Sequence, residues 1–122
     1  MTCPCGTGLP YASCCGPFHD GAAAPTAEQL MRSRYTAFAR QLPSYLLETW
    51  HPTTRPKRLV LDREQEWVSL VVVSAQGGFL DTEGVVEFRA TWRQRGVTQV
   101  LHERSRFVRE DGRWLYLNGS VT

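Results

Sequence analysis

The sequence predicts an α+β domain in which helices come first and a curved antiparallel sheet follows, behind a short cysteine-bearing loop. Three observations carry that expectation. Apolar residues recur at three- and four-residue spacing between residues 26 and 42. The second half instead alternates at a period of two, in runs separated by glycine-containing turns. All four cysteines fall within the first fifteen residues and none occurs later.

The cysteines are Cys3, Cys5, Cys14 and Cys15, spaced C-x-C-x8-C-C. Zinc favours a closed tetrahedron of thiolates in structural sites, and four cysteines fill it with no position left for a substrate water. Gly6 and Gly8 allow the positive φ angles that wrap a backbone around an ion. Two disulfides are the rival reading, since Cys3 and Cys5 could each bridge one of the later pair. A reducing compartment argues against them, and redox use lacks the C-x-x-C spacing. His19, four residues past Cys15, is an alternative ligand; otherwise it packs beside the loop and hydrogen-bonds to it.

Residues 16–25 read as a turn-rich bridge. Thr26 and Gln29 form a capping box for a helix whose apolar face carries Ala27, Met31, Tyr35, Phe38 and Leu42, and Pro43 stops it near residue 41. A second short helix is expected over 44–50, followed by an exposed basic loop at 52–58. Four strands follow: 66–74, with Trp67, Ser69, Val71 and Val73 alternating against Val68, Leu70 and Val72; a run around 85–92; 97–109; and 114–121. Arg95-Gly96 and Asp111-Gly112 supply turns between them.

Composition is that of an ordinary globular chain: 122 residues, 42% hydrophobic and 21% charged. No apolar run approaches the roughly 20 residues of a membrane span, and the N-terminus lacks a basic region and an apolar signal core. A cytoplasmic location is therefore expected. The formal charge of +2 falls near zero once four thiolates hold Zn²⁺, and residues 1–25 contain no Lys or Arg. Nucleic acid is thus not the expected partner, although Arg55, Lys57 and Arg58, with Arg104 and Arg106, are the residues that would serve it.

Cys3-Pro4-Cys5-Gly6-Thr7-Gly8, Tyr11 and Cys14-Cys15-Gly16 resemble the SEC-C zinc motif at the C-terminus of the translocase ATPase SecA. With His19, Leu30–Tyr35, Thr49–Pro52 and His102–Phe107, essentially the whole chain resembles the YchJ family. The resemblance implies one bound zinc, a division into a metal motif over 1–21 and a cone of the nuclear transport factor 2 type over 22–122, and a protein partner docking on the metal loop. It also implies a possible small-ligand pocket and a possible homodimer. It brings no established activity. SecA-type motifs typically carry lysines between the ligand pairs and end in Cys-His, whereas residues 6–13 here are uncharged.

Outside the loop, Glu103 is the residue with most chemical potential. Leu101, Glu103, Ser105 and Phe107 share one strand face, and that face is the more apolar. An inward carboxylate should pair with an arginine, and Arg34, at the border of the helix's apolar stripe, is the expected partner. The leading functional reading is a zinc-binding adaptor or small binding module. The alternative is an isomerase- or lyase-like enzyme of the cone fold, with Glu103 or His51 as general base. Trp50, Trp67, Trp92 and Trp114 read as core and rim.

Overall fold

The computed structural model describes residues 1–122. After the N-terminal loop come three helices, α1 (Gly16–His19), α2 (Ala27–Ala39) and α3 (Pro43–Glu48), then strands β1 (Glu66–Gln76), β2 (Glu83–Gln94), β3 (Val97–Glu110) and β4 (Arg113–Val121). The strands form one antiparallel sheet in the order β1-β2-β3-β4, as an uninterrupted meander. Its concave face supplies Leu70, Val86, Phe88, Ala90, Phe107 and Trp114 to the core, and α2 lies against it through Ala27, Leu30, Met31 and Tyr35. No helix is long and apolar enough to cross a membrane.

The helix start matches its sequence signal. Thr26 accepts the amide proton of Gln29 at 3.2 Å, though the Gln29 side chain bonds the Thr26 hydroxyl rather than its backbone nitrogen. The end comes earlier than Pro43 dictates. Gln41 takes a left-handed conformation (φ 61°), Leu42 N–H bonds back to Ala37 O at 2.8 Å, and Gln41 N–H reaches Phe38 O at 3.3 Å. These two bonds make a Schellman closure with glutamine where glycine is usual. Replacing Gln41 with Gly is expected to stabilise the fold by about 1 kcal/mol, because the side chain opposes the left-handed angle. Urea unfolding would read this as a higher midpoint at unchanged slope.

Two expectations need correction. The bridge after the cysteines contains a short helix, α1, which Pro17 begins with a preset φ. The alternation in β1 also fails, because register shifts between Trp67 and Ser69 and between Val72 and Ser74 reset the pleat. Trp67, Leu70 and Val72 consequently pack toward the core, while Val68, Val71 and Val73 are exposed.

Contact between α2 and the sheet is uneven along the helix. At its N-terminal end Ala27 is fully buried on Gly77 and Gly84, and its N–H bonds to Gly77 O at 3.0 Å. A Cβ on Gly84 would sit 2.8 Å from the Ala27 Cβ and 2.5 Å from Gln76 O, so the chains meet backbone to backbone. Farther along, bulky rings intervene: Tyr35 and Phe38 each pack on Trp67 with centroids 5.7 Å apart. The helix is close at one end and spaced off at the other, and a cavity opens beside the spaced half.

Candidate metal centre and cavity

The four cysteines converge. Their Sγ atoms all lie within 4.8 Å of one another, with Cys5 and Cys14 at 3.5 Å, and all four are free thiols rather than disulfides. Sulfurs about 2.3 Å from a zinc ion at the centre of a tetrahedron would be roughly 3.8 Å apart, so the set suits such an ion. Gly6 and Gly8 have φ of 89° and 84°, which turns the loop back on itself. Cys3, Cys5 and Cys15 are buried and Cys14 partly so.

Protonation alone satisfies this cluster poorly. Hydrogen bonding from the Cys15 thiol holds Cys5 down at about 4 despite its burial, and Thr7 and Cys14 add to the effect. The same contact pushes Cys15 up, and burial does so for Cys14. One thiolate among thiols is the arrangement favoured without an ion, since four adjacent negative charges need a cation. The donor set therefore fits a soft divalent metal.

Neighbouring groups fix the sulfurs and tie the loop to α2. Thr36 Oγ1 donates to Cys15 Sγ at 3.3 Å, and Thr7 Oγ1 lies 3.1 Å from Cys14 Sγ. Arg32 Nη1 donates to Cys5 O at 2.7 Å while its Nε pairs with Glu28 at 2.9 Å. His19 is occupied at both nitrogens. Its Nε2–H donates to Ser33 O at 2.8 Å, which leaves Nδ1 to accept from Tyr11 Oη at 2.7 Å. It acts as a strut beside the cysteines, with burial lowering its pKa.

The second feature is a cavity of about 340 Å³ between α2 and the concave face, lined by 14 residues of which 10 are hydrophobic. Met31, Phe38, Trp67 and Phe88 represent its apolar wall; the polar members include Arg34, Glu103 and Ser105. Face counting thus placed Glu103 correctly, on the inside. The expected ion pair with Arg34 does not form. Arg34 Nη1 instead donates to Leu46 O at 2.8 Å and Thr49 Oγ1 at 2.7 Å, and the guanidinium lies over the rings of Tyr116 and Trp50 at 4.6 and 5.2 Å. The α3 end and the aromatic faces meet it first. Arg34 is only 6% exposed, and burial lowers its pKa to about 10 even with Tyr116, Tyr45 and Glu103 nearby.

Glu103 is held by other means. Ser105 Oγ donates to its Oε2 at 2.5 Å, and the carboxylate lies over Gly119, where a Cβ would fall 2.6 Å from Cδ. Its Oε1 accepts from no protein group, and neither Nε nor Nη2 of Arg34 has an acceptor. These atoms are not among the sealed polar orphans, which are Tyr35 Oη and Trp50 Nε1.

Residues 26–119 match the family described as "YchJ, middle NTF2-like domain", and residues 2–17 match the SEC-C motif. The chain belongs to the YchJ family. A UPF0225 protein of Streptomyces coelicolor is 55% identical over 119 residues, covering 96% of this chain and 93% of its own. One from Chromobacterium violaceum is 50% identical, covering 98% and 92%. Among solved structures, the SEC-C motif protein RPA3114 of Rhodopseudomonas palustris superposes with a TM-score of 0.87 at 35% identity, covering 100% of this chain and 99% of that one. A SEC-C motif protein of Psychrobacter arcticus gives 0.80 at 32%, covering 100% and 83%.

In this YchJ-family chain His51 stands apart from the cavity lining. Thr53 N–H donates to its Nδ1 at 3.1 Å, so Nε2–H donates to Glu110 Oε2 at 2.8 Å, and the ring staples the end of α3 to β3. His102 points away from Glu103 and pairs with Glu87 at 2.7 Å. Sequence reasoning missed Gly119, although an isolated glycine within a strand is a signal for close approach. It also missed Thr36 as a sulfur partner, which carries no local signal at all.

Proposed function

We propose that this chain is a small-ligand-binding module whose N-terminal loop is locked by one structural zinc ion. The observation that carries the reading is the cavity: a 122-residue domain leaves about 340 Å³ open where its core could have closed, with charged groups turned toward the space. That volume lies within the range of small-molecule sites. The four-sulfur set supports zinc as the ion and leaves it no open coordination position, so its contribution is to bind Cys3, Cys5, Cys14 and Cys15 and fix the loop on α2. Reduced thiols suit the cytoplasm.

The test has two parts. Elemental analysis of protein purified without chelator should give one zinc per chain; no metal, or a mass showing two disulfides, would refute the metal half. Ligand-observed screening with a library of small aromatic compounds should find binders that compete for one site. A library without a single hit would refute the cavity half.

A protein-docking role for the metal loop is a second reading, favoured by the exposed, uncharged run 6–10, where Leu9 is 50% exposed. A pull-down from cytoplasm with native and Leu9→Asp protein would support it through a partner that only the native loop retains. An enzyme reading rests on Glu103 alone, since His51 lies outside the cavity.

A further inference from the structure

We infer that the cavity takes a ligand of zero net charge that carries a hydrogen-bond donor and an acceptor together at one end of an apolar, mainly aromatic body, as a carboxamide does. This rests on the cavity being a ligand site, and it names what the site selects.

Arg34 and Glu103 line the same space, yet they do not pair with each other. Each is held by the protein through one part of its head group and leaves the other part unmatched. For Arg34 the held atom is Nη1, on Leu46 O and Thr49 Oγ1, and Nε and Nη2 are the unmatched donors. For Glu103 the held atom is Oε2, on Ser105 Oγ, and Oε1 is the unmatched acceptor. A guanidinium that is 6% exposed with no ion-pair partner is expensive to keep, and the partly buried Glu103 carboxylate lines the same space without pairing to it. A ligand that accepts from the first and donates to the second would satisfy both.

Charge balance narrows the head group. An anion would gain from Arg34 but meet Glu103, and a cation would gain from Glu103 but meet Arg34. A neutral donor–acceptor head meets neither repulsion. A zwitterion shares that property and differs in a higher desolvation cost. The body is set by the walls: Phe38, Trp67 and Phe88 offer aromatic surface, and Met31 and Leu101 complete it.

Gly119 is a positioning residue in this scheme. A Cβ there would collide with the end of the Glu103 side chain, which is flexible and can swing aside. Gly119→Ala should therefore fold normally while moving the carboxylate, with no change in the charge of the site.

The experiment uses the zinc-loaded full chain, labelled with ¹⁵N, and follows the indole N–H signals of Trp50 and Trp67 during titration. The probes are 3-phenylpropanamide, 3-phenylpropanoate, 3-phenylpropylammonium and L-phenylalanine. The amide should bind at least tenfold more tightly than the anion and the cation. Tightest binding by phenylalanine would support the same donor–acceptor rule and identify an amino acid as its source. Glu103→Met should weaken the amide about tenfold and strengthen the anion, and Gly119→Ala should shift selectivity in the same direction. Binding of the anion or cation as tightly as the amide overturns the inference while leaving the cavity a ligand site. An equal loss for every probe in Glu103→Met also overturns it, because that is a structural effect. No response to any probe removes the ligand-site reading itself.

Discussion

If the four cysteines hold the proposed ion, treating the native protein with a strong chelator is expected to lower the unfolding midpoint by about 10–20 °C while most of the sheet survives. An ion held at a thousandfold excess over its dissociation constant contributes about 4 kcal/mol to the folded state, and each kcal/mol moves a domain of this size by several degrees. The effect reaches beyond the loop because Cys3, Cys5 and Cys15 belong to one buried cluster with Leu30, Met31, Tyr35 and Leu70. Without the ion, the loop keeps only such ties as Arg32 to Cys5 O, His19 to Ser33 O and Thr36 to Cys15 Sγ. The sheet has its own register and core, so its circular dichroism signal should persist. Acidification has the same sign as chelation, since protons compete for the same sulfurs. An unchanged midpoint would refute the structural role of the metal. Complete loss of the signal would refute the division into a metal motif over 1–21 and a cone over 22–122.

Gly84→Ala is expected to cost about 3 kcal/mol, at the upper end for overpacking by a single methyl. The added carbon would lie 2.5 Å from Gln76 O, 2.8 Å from the Ala27 Cβ and 3.2 Å from the Gly77 Cα. Two of those atoms are backbone, and Ala27 is fixed by its own N–H bond to Gly77 O. Nothing there can rotate away, so α2 must lift from the β1–β2 turn or the turn must open. Either movement changes the cavity wall farther along the helix. Denaturant melts of the variant should show the loss, and a difference under 1 kcal/mol would mean that the helix end is not clamped as described.

The elements legible in the sequence were those fixed by local chemistry. Four cysteines in fifteen residues, the Thr26 cap and the Asp111-Gly112 turn each carry their own signal. Glu103 was placed on the inner face because β2 and β3 pair in unbroken register from Glu83–Val108 to Gln94–Val97, so counting by two holds. The same counting failed in β1, where two bulges intervene and no residue type announces them. Arg34 was expected beside Glu103 because a buried charge needs a partner. Its partners turned out to be Leu46 O, Thr49 Oγ1 and two aromatic faces, brought by the packing of α3 and β4 that a strand-and-helix pattern does not encode. The cavity was illegible for a related reason. It results from a helix close at Gly84 and spaced off at Trp67, and depends on both ends at once.

The two irregularities in β1 bear on what its free edge can pair with. β1 is an outer strand of the sheet, and its stretch from Val68 to Ser74 is uncharged, proline-free and rich in valine. A flat strand of that composition would be a template for edge-to-edge growth with other copies. The bulges beside Trp67 and beside Val72 fall at either end of this stretch and break the even ladder that an incoming strand would need. The distortion that defeats counting by two thus also protects against aggregation, and straightening it would trade a tidier sheet for a stickier one.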